Sequence, residues 1–118
     1  MEHEKINYLE FAACDLAATK RFFVQVFEWQ FTDYGPEYSA FAKADAGLDG
    51  GFFQAPLSGR QATGGALVVF YSSNLSATEA KIKECGGEIN KPVFDFPGGR
   101  RFHFLEPSGN EFAVWSDK

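Results

Sequence analysis

A chain of 118 residues, 45% hydrophobic and 17% aromatic, is long enough to close one core without staples and too apolar to remain disordered. Its net charge of −5, with no run of Lys or Arg, argues against nucleic acid and anionic membranes as partners. Cys14 and Cys85 stand in no metal-ligating spacing and read as small hydrophobes of a reducing compartment; with a charged N-terminus and no apolar run of spanning length, a cytoplasmic location is expected.

Residues 6–13 alternate loosely and predict a strand, with Leu9 and Phe11 on one face and Tyr8, Glu10 and Ala12 on the other. Asp15 stands where a helix needs an N-cap. The stripe of Leu16, Phe22, Phe23, Val26 and Phe27, unbroken by Gly or Pro, predicts a helix over 16–27. Residues 29–34, 38–44 and 48–55 read as three strands, the last carrying Gly50-Gly51, the mark of a bulge or a close backbone approach. Residues 56–65 are rich in turn formers and form a linker. The order then repeats. A strand over 66–71 is followed by a helix opening near Asn74, with Ser76 and Glu79 at capping-box spacing and Gly86-Gly87 as its stop. A strand over 88–94 and a hairpin over 98–117 complete the second set. In the hairpin Arg101, His103 and Leu105 alternate with Phe102 and Phe104, then Phe112 and Val114 with Ala113 and Trp115, around the turn Glu106-Pro107-Ser108-Gly109-Asn110.

The helix openings match: Asp15-Leu16-Ala17-Ala18-Thr19 returns as Asn74-Leu75-Ser76-Ala77-Thr78, half the chain length later. The expected fold is α+β, one domain over 1–118 built of two βαβββ modules, about 5–55 and about 66–117, whose curled mixed sheets enclose a cavity. The hairpin, the first helix with its Phe22-Phe23-Val24-Gln25-Val26-Phe27-Glu28-Trp29 exit, and the duplicated order together resemble the vicinal oxygen chelate superfamily of glyoxalases, bleomycin-resistance proteins and extradiol dioxygenases.

That resemblance implies a divalent metal held by His and Glu from inward strand positions, polarising two vicinal substrate oxygens. Carried over, those positions fall on Tyr8, on Val68 (Leu67 by the internal offset), on Ala113 and near Gly50-Gly51-Phe52. None is a metal-ligand side chain. No cofactor is therefore expected. The resemblance then implies the branch that sequesters small molecules without metal, as a homodimer gripping planar or cationic ligands between rings. Tyr8, Trp29, Phe41, Phe52, Phe53, Trp115 and Arg101 are the candidate ligand-binding residues; core packing is the competing role for the apolar rings. Glu10 and His103 are the candidate catalytic residues. Glu10 shares a face with Tyr8, where a buried carboxylate serves as a base or pairs with Arg100 or Arg101. Tyr8 either donates to a ligand oxygen or fills space. Cys14, beside a helix N-terminus, has no nearby His to make it a nucleophile. The alternative function is a lyase, isomerase or dioxygenase with a divalent metal relocated to His103, Glu10 and an acid such as Asp49. A duplicated fold kept for a partner protein is the third reading.

Overall fold

Asp15 and Asn74 do the same work in the two halves of the chain. Each side-chain oxygen accepts from the N–H three residues on, Ala18 at 3.1 Å and Ala77 at 3.2 Å, and so satisfies a donor that the first helical turn leaves free. Ser76 is not the cap. In the structure, a computed structural model describing all of residues 1–118, the order is β1 (Tyr8–Ala13), α1 (Leu16–Phe27), β2 (Phe31–Asp33), β3 (Tyr38–Phe41), α2 (Lys43–Ala46), β4 (Asp49–Gln54), β5 (Val68–Tyr71), α3 (Leu75–Glu84), β6 (Glu88–Phe96), β7 (Gly99–Leu105) and β8 (Glu111–Ser116). Two mixed four-stranded sheets result, ordered β1-β4-β3-β2 and β5-β8-β7-β6, each with its first and last strands parallel and the rest antiparallel. The two βαβββ modules are as the sequence predicts. The sheets remain separate and open, however, and no enclosed barrel forms.

Most strand ends shift by one to three residues from the sequence reading, and three of the shifts have a visible local cause. The strand expected over 29–34 shortens because Trp29 turns into the core and the Gln30 N–H is taken by the Asp45 carboxylate at 3.0 Å. The strand expected over 38–44 stops at Phe41, since residues 43–46 wind into the single turn α2, ended by Gly47 at φ +93°. β6 runs to Phe96, pairing with Gly99 across a tight turn.

The Phe excess is mainly core. Seven Phe rings are buried and four more pack against them, leaving Phe53, Phe94 and Phe96. Helix α1 lies against both sheets: Phe23 meets Phe52 of β4 at 5.4 Å and Phe112 of β8 at 5.6 Å, and Phe27 stacks on Phe70 of β5 at 4.7 Å. Phe11 of β1 bridges the sheets directly, 5.3 Å from both Phe52 and Phe112. These tilted and offset contacts suit the ring quadrupoles and bury large areas per side chain.

The Glu106–Asn110 turn fastens the modules. Glu106 is 2% exposed and accepts from Thr19 Oγ1 (2.6 Å), the Ser108 and Asn110 backbone N–H groups and the Asn110 side-chain amide. Asn110 also donates to the Ala12 carbonyl, and Ser108 Oγ accepts from the Asp15 N–H. The linker docks here too: the Gly59 N–H donates to Asn110, and the Glu111 N–H to the Gly59 carbonyl. With the core on one side of each sheet, the opposite faces are left for function.

Candidate functional site

On the open face of the first sheet, register places Tyr8 beside Asp49, Glu10 beside Gly51, and Tyr38 beside Phe53. The glycine pair makes this face possible. A Cβ on Gly51 would collide with the Tyr38 ring and hydroxyl, and one on Gly50 with the Leu9 carbonyl and the Phe41 ring. The close approach expected at this pair is present, and its beneficiary is Tyr38, lying flat over bare backbone.

The Tyr38 hydroxyl donates to Glu10 Oε2 at 2.8 Å and lies 2.6 Å from the Tyr8 hydroxyl. A phenol has one proton, so with Tyr38's committed to the carboxylate, Tyr8 must be the donor to Tyr38. The chain therefore runs Tyr8 to Tyr38 to Glu10. Tyr8 presents only lone pairs outward, as an acceptor rather than the donor the sequence allowed. Partial burial, then the hydrogen bonds to Tyr8 and Glu10, push the Tyr38 phenol far above its ordinary value. Glu10 pairs with neither Arg100 nor Arg101. A cleft of about 750 Å3 opens beside this chain, lined by Tyr8, Tyr34, Tyr38, Phe41, Asp45 and Asp49 among others, with no Lys or Arg. Tyr34, Tyr38 and Asp45 escaped the sequence-based selection; only the strand alternation that grouped Tyr8 with Glu10 could have drawn Tyr38 in.

The open face of the second sheet carries Val69, Tyr71, Arg101, His103, Ala113 and Trp115. His103 is 1% exposed. Its Nδ1 lies 2.9 Å from Glu111 Oε2; the carboxylate accepts, so Nδ1 carries the proton and buried Nε2 has no partner. Burial alone would raise the Glu111 carboxyl, but hydrogen bonds from His103, the Gln61 N–H and Asn90 outweigh it and hold it below the ordinary range. Arg101 lies over Phe94 and Phe96, and Trp115 packs edge-on against Tyr71 at 5.2 Å.

The remaining predicted site residues divide by depth. Phe53 is exposed on the first open face. Phe52 is wholly buried and reaches no cleft, because its strand parity turns it to the core. Trp29 and Phe41 are core residues whose edges floor a groove of about 330 Å3 between the β1 and β5 edges, where Leu9, Val68 and Phe112 also contribute. Cys14 places its thiol 3.5 Å from the Ser108 carbonyl. His103 and Glu10, the pair offered for a relocated metal, sit on different sheets with different partners. No three His, Cys, Asp or Glu side chains converge anywhere in the chain.

The family model for the Glyoxalase/Bleomycin resistance protein/Dioxygenase superfamily matches residues 5–114. The chain belongs to this superfamily. Among solved structures it is similar to a fosfomycin resistance protein from Listeria monocytogenes (17% identity, TM-score 0.78, 98% of this chain and 94% of that one). It is also similar to a glyoxalase-related enzyme from Fulvimarina pelagi (14%, 0.77, 96% and 88%). A third is the lactoylglutathione lyase of Agrobacterium tumefaciens (18%, 0.70, 96% and 93%). At such identities the likeness is one of fold. No curated protein matches the sequence closely.

A superfamily-type metal needs ligand side chains on the sheet faces turned away from the helices. Tyr8, Gly51 and Ala113 occupy the open faces, while Val68 points into the core beside Phe112, leaving its neighbour Val69 opposite Ala113. A phenol already committed to Tyr38, a glycine, a valine and an alanine supply no imidazole or carboxylate. The donor set does not fit a superfamily-type metal. Finally, no helix is long and apolar enough to cross a membrane.

Proposed function

We propose that this superfamily member binds a small cationic ligand with an aromatic face on its first sheet, without metal and without chemical conversion. The observation that carries this reading is the Tyr8–Tyr38–Glu10 chain, which commits the Tyr8 and Tyr38 protons inward and leaves the Tyr8 lone pairs facing a 750 Å3 cleft whose charged residues are both acids. Asp45 and Asp49 add negative charge, and the Tyr rings add quadrupolar faces that attract cations by about 0.5–2 kcal/mol each. Gly51 sets the floor and Tyr38 lies across it, so the surface is formed before a ligand arrives and little ordering entropy is lost on binding. The protein is proposed to act as a cytoplasmic homodimer.

The test is calorimetric titration with benzyltrimethylammonium in the presence of EDTA, with benzyl alcohol as the uncharged comparison. Saturable binding of the cation is expected, weakened severalfold in Glu10→Gln, which leaves the cleft lining in place but takes away the carboxylate that orients the Tyr38 and Tyr8 hydroxyls. Equal affinity for benzyl alcohol, or binding only after divalent metal is added, would refute the reading.

A further inference from the structure

The open face of the second sheet carries a cleft of the opposite character. We propose that it is a separate site for a small planar carboxylate, clasped by Arg101 against Trp115. The cleft, about 290 Å3, is lined by Val69, Phe96, Gly98, Arg101 and Trp115, so Arg101 is its one charged residue. Its size suits a single ring rather than a drug-sized molecule.

Three observations give the site its preference. First, Arg101 makes no ion pair. The acids of the neighbouring strand are committed elsewhere: Glu111 to His103, Asn90 and the Gln61 N–H, and Asp117 to the Tyr71 hydroxyl. Second, the guanidinium carbon lies 5.2 Å from the Phe94 ring centre and 5.8 Å from that of Phe96, and Nε is sealed from water with no acceptor. The cation is thus partly dehydrated and held in place while lacking a counter-charge, a state that a bound anion relieves. Third, Phe96 and Trp115 meet edge to face, 6.2 Å between ring centres, and form an apolar corner beside Arg101 against which a flat ligand body packs. A guanidinium fork and a carboxylate pair through two parallel N–H···O bonds, giving the site its orientation. The proposal is independent of the cation cleft, which lies on the other sheet.

The experiment is titration of the full chain with benzoate and with its neutral isostere benzamide, followed by calorimetry and by Trp emission. Trp115 borders the cleft, whereas Trp29 is buried elsewhere. One saturable benzoate site per chain is expected, with benzamide at least tenfold weaker, benzoate affinity falling as salt rises, and the emission change lost in Trp115→Phe. Arg101→Gln should lose benzoate by tenfold or more, and Glu10→Gln should leave it unchanged. Equal binding of benzamide, or no saturation at millimolar benzoate, would overturn the proposal. So would full affinity in a folded Arg101→Gln protein. If that variant fails to fold, the benzoate-to-benzamide ratio and salt dependence of the unaltered protein decide alone.

Discussion

At the scale of single residues, Glu106 is the most consequential acid in the chain, although it touches no cleft. Burial raises its carboxyl above the ordinary value of 4.5; hydrogen bonds from Thr19, Asn110 and Ser108 oppose that without cancelling it. A carboxyl with a raised folded pKa binds its proton more tightly in the native state. Its stabilising contribution is complete below the unfolded value and is lost as pH rises through the folded one. Glu106→Gln removes the buried charge and can keep every bond: its amide donates to Thr19, Thr19 donates to Ser108, and Ser108 donates to the Asp15 carbonyl, an acceptor it already reaches at 3.2 Å. The variant should therefore match or exceed the unaltered protein at neutral pH, and the unaltered protein should gain on it as pH falls toward 4.5. Urea melts at several pH values read this difference; a gap that moves the other way would contradict the assignment. Glu106→Ala orphans three buried N–H donors and should lose about 2–4 kcal/mol at neutral pH, and more as pH falls. The sequence showed an acid before Pro-Ser-Gly-Asn but not its role, because the bonds reach Thr19 and Ala12, on elements nearly ninety residues away or more.

At the scale of elements, what was legible was what is decided locally. Helix α1 is legible to the residue because its cap, apolar stripe and lack of breakers all lie within it. The hairpin of β7 and β8 is legible because alternation and turn chemistry agree. The missed turn α2 is too short to carry a period, and the linker's docking depends on Asn110 and Glu111, some fifty residues away. For the site, the face shared by Tyr8 and Glu10 follows from parity, whereas the ring lying between them comes from another strand. Gly50-Gly51 announced a close approach without naming the occupant. Gly51→Ala tests that element directly. The added methyl cannot coexist with the Tyr38 ring, so β3 must shift or Tyr38 must swing outward. Loss of 1–3 kcal/mol is expected from such overcrowding, roughly. The Tyr8–Tyr38–Glu10 chain should break with it, lowering the phenol pKa toward its ordinary range. A spectrophotometric Tyr titration would read that as an additional phenol ionising at lower pH; an unchanged titration would show that Tyr38 does not rest on Gly51.

At the scale of the whole molecule, duplication could have given two independent modules, each with its own small core. The rings argue otherwise. Phe23 on α1 contacts Trp29 and Phe52 of its own module and Phe112 of the other, and Phe27 stacks on Phe70 across the same boundary. The Glu106–Asn110 turn adds polar fastenings from the second module to Ala12, Asp15 and Thr19 of the first. Neither sheet can expose its inner face without uncovering the other. A module of about fifty residues would moreover bury too little surface to stand alone. Phe23→Ala removes a fully buried ring and should lose about 3–5 kcal/mol. A domain of ordinary stability holds roughly 5–15 kcal/mol, so the variant is expected to fold but to open readily. Native-state hydrogen exchange should then show amides of β4 around Phe52 and of β8 around Phe112 losing protection by the same free energy, in one cooperative opening. Protection lost in the first sheet but retained in the second would mean that the duplicated halves kept separate cores. The shared rings would then be contacts of convenience rather than the single core described.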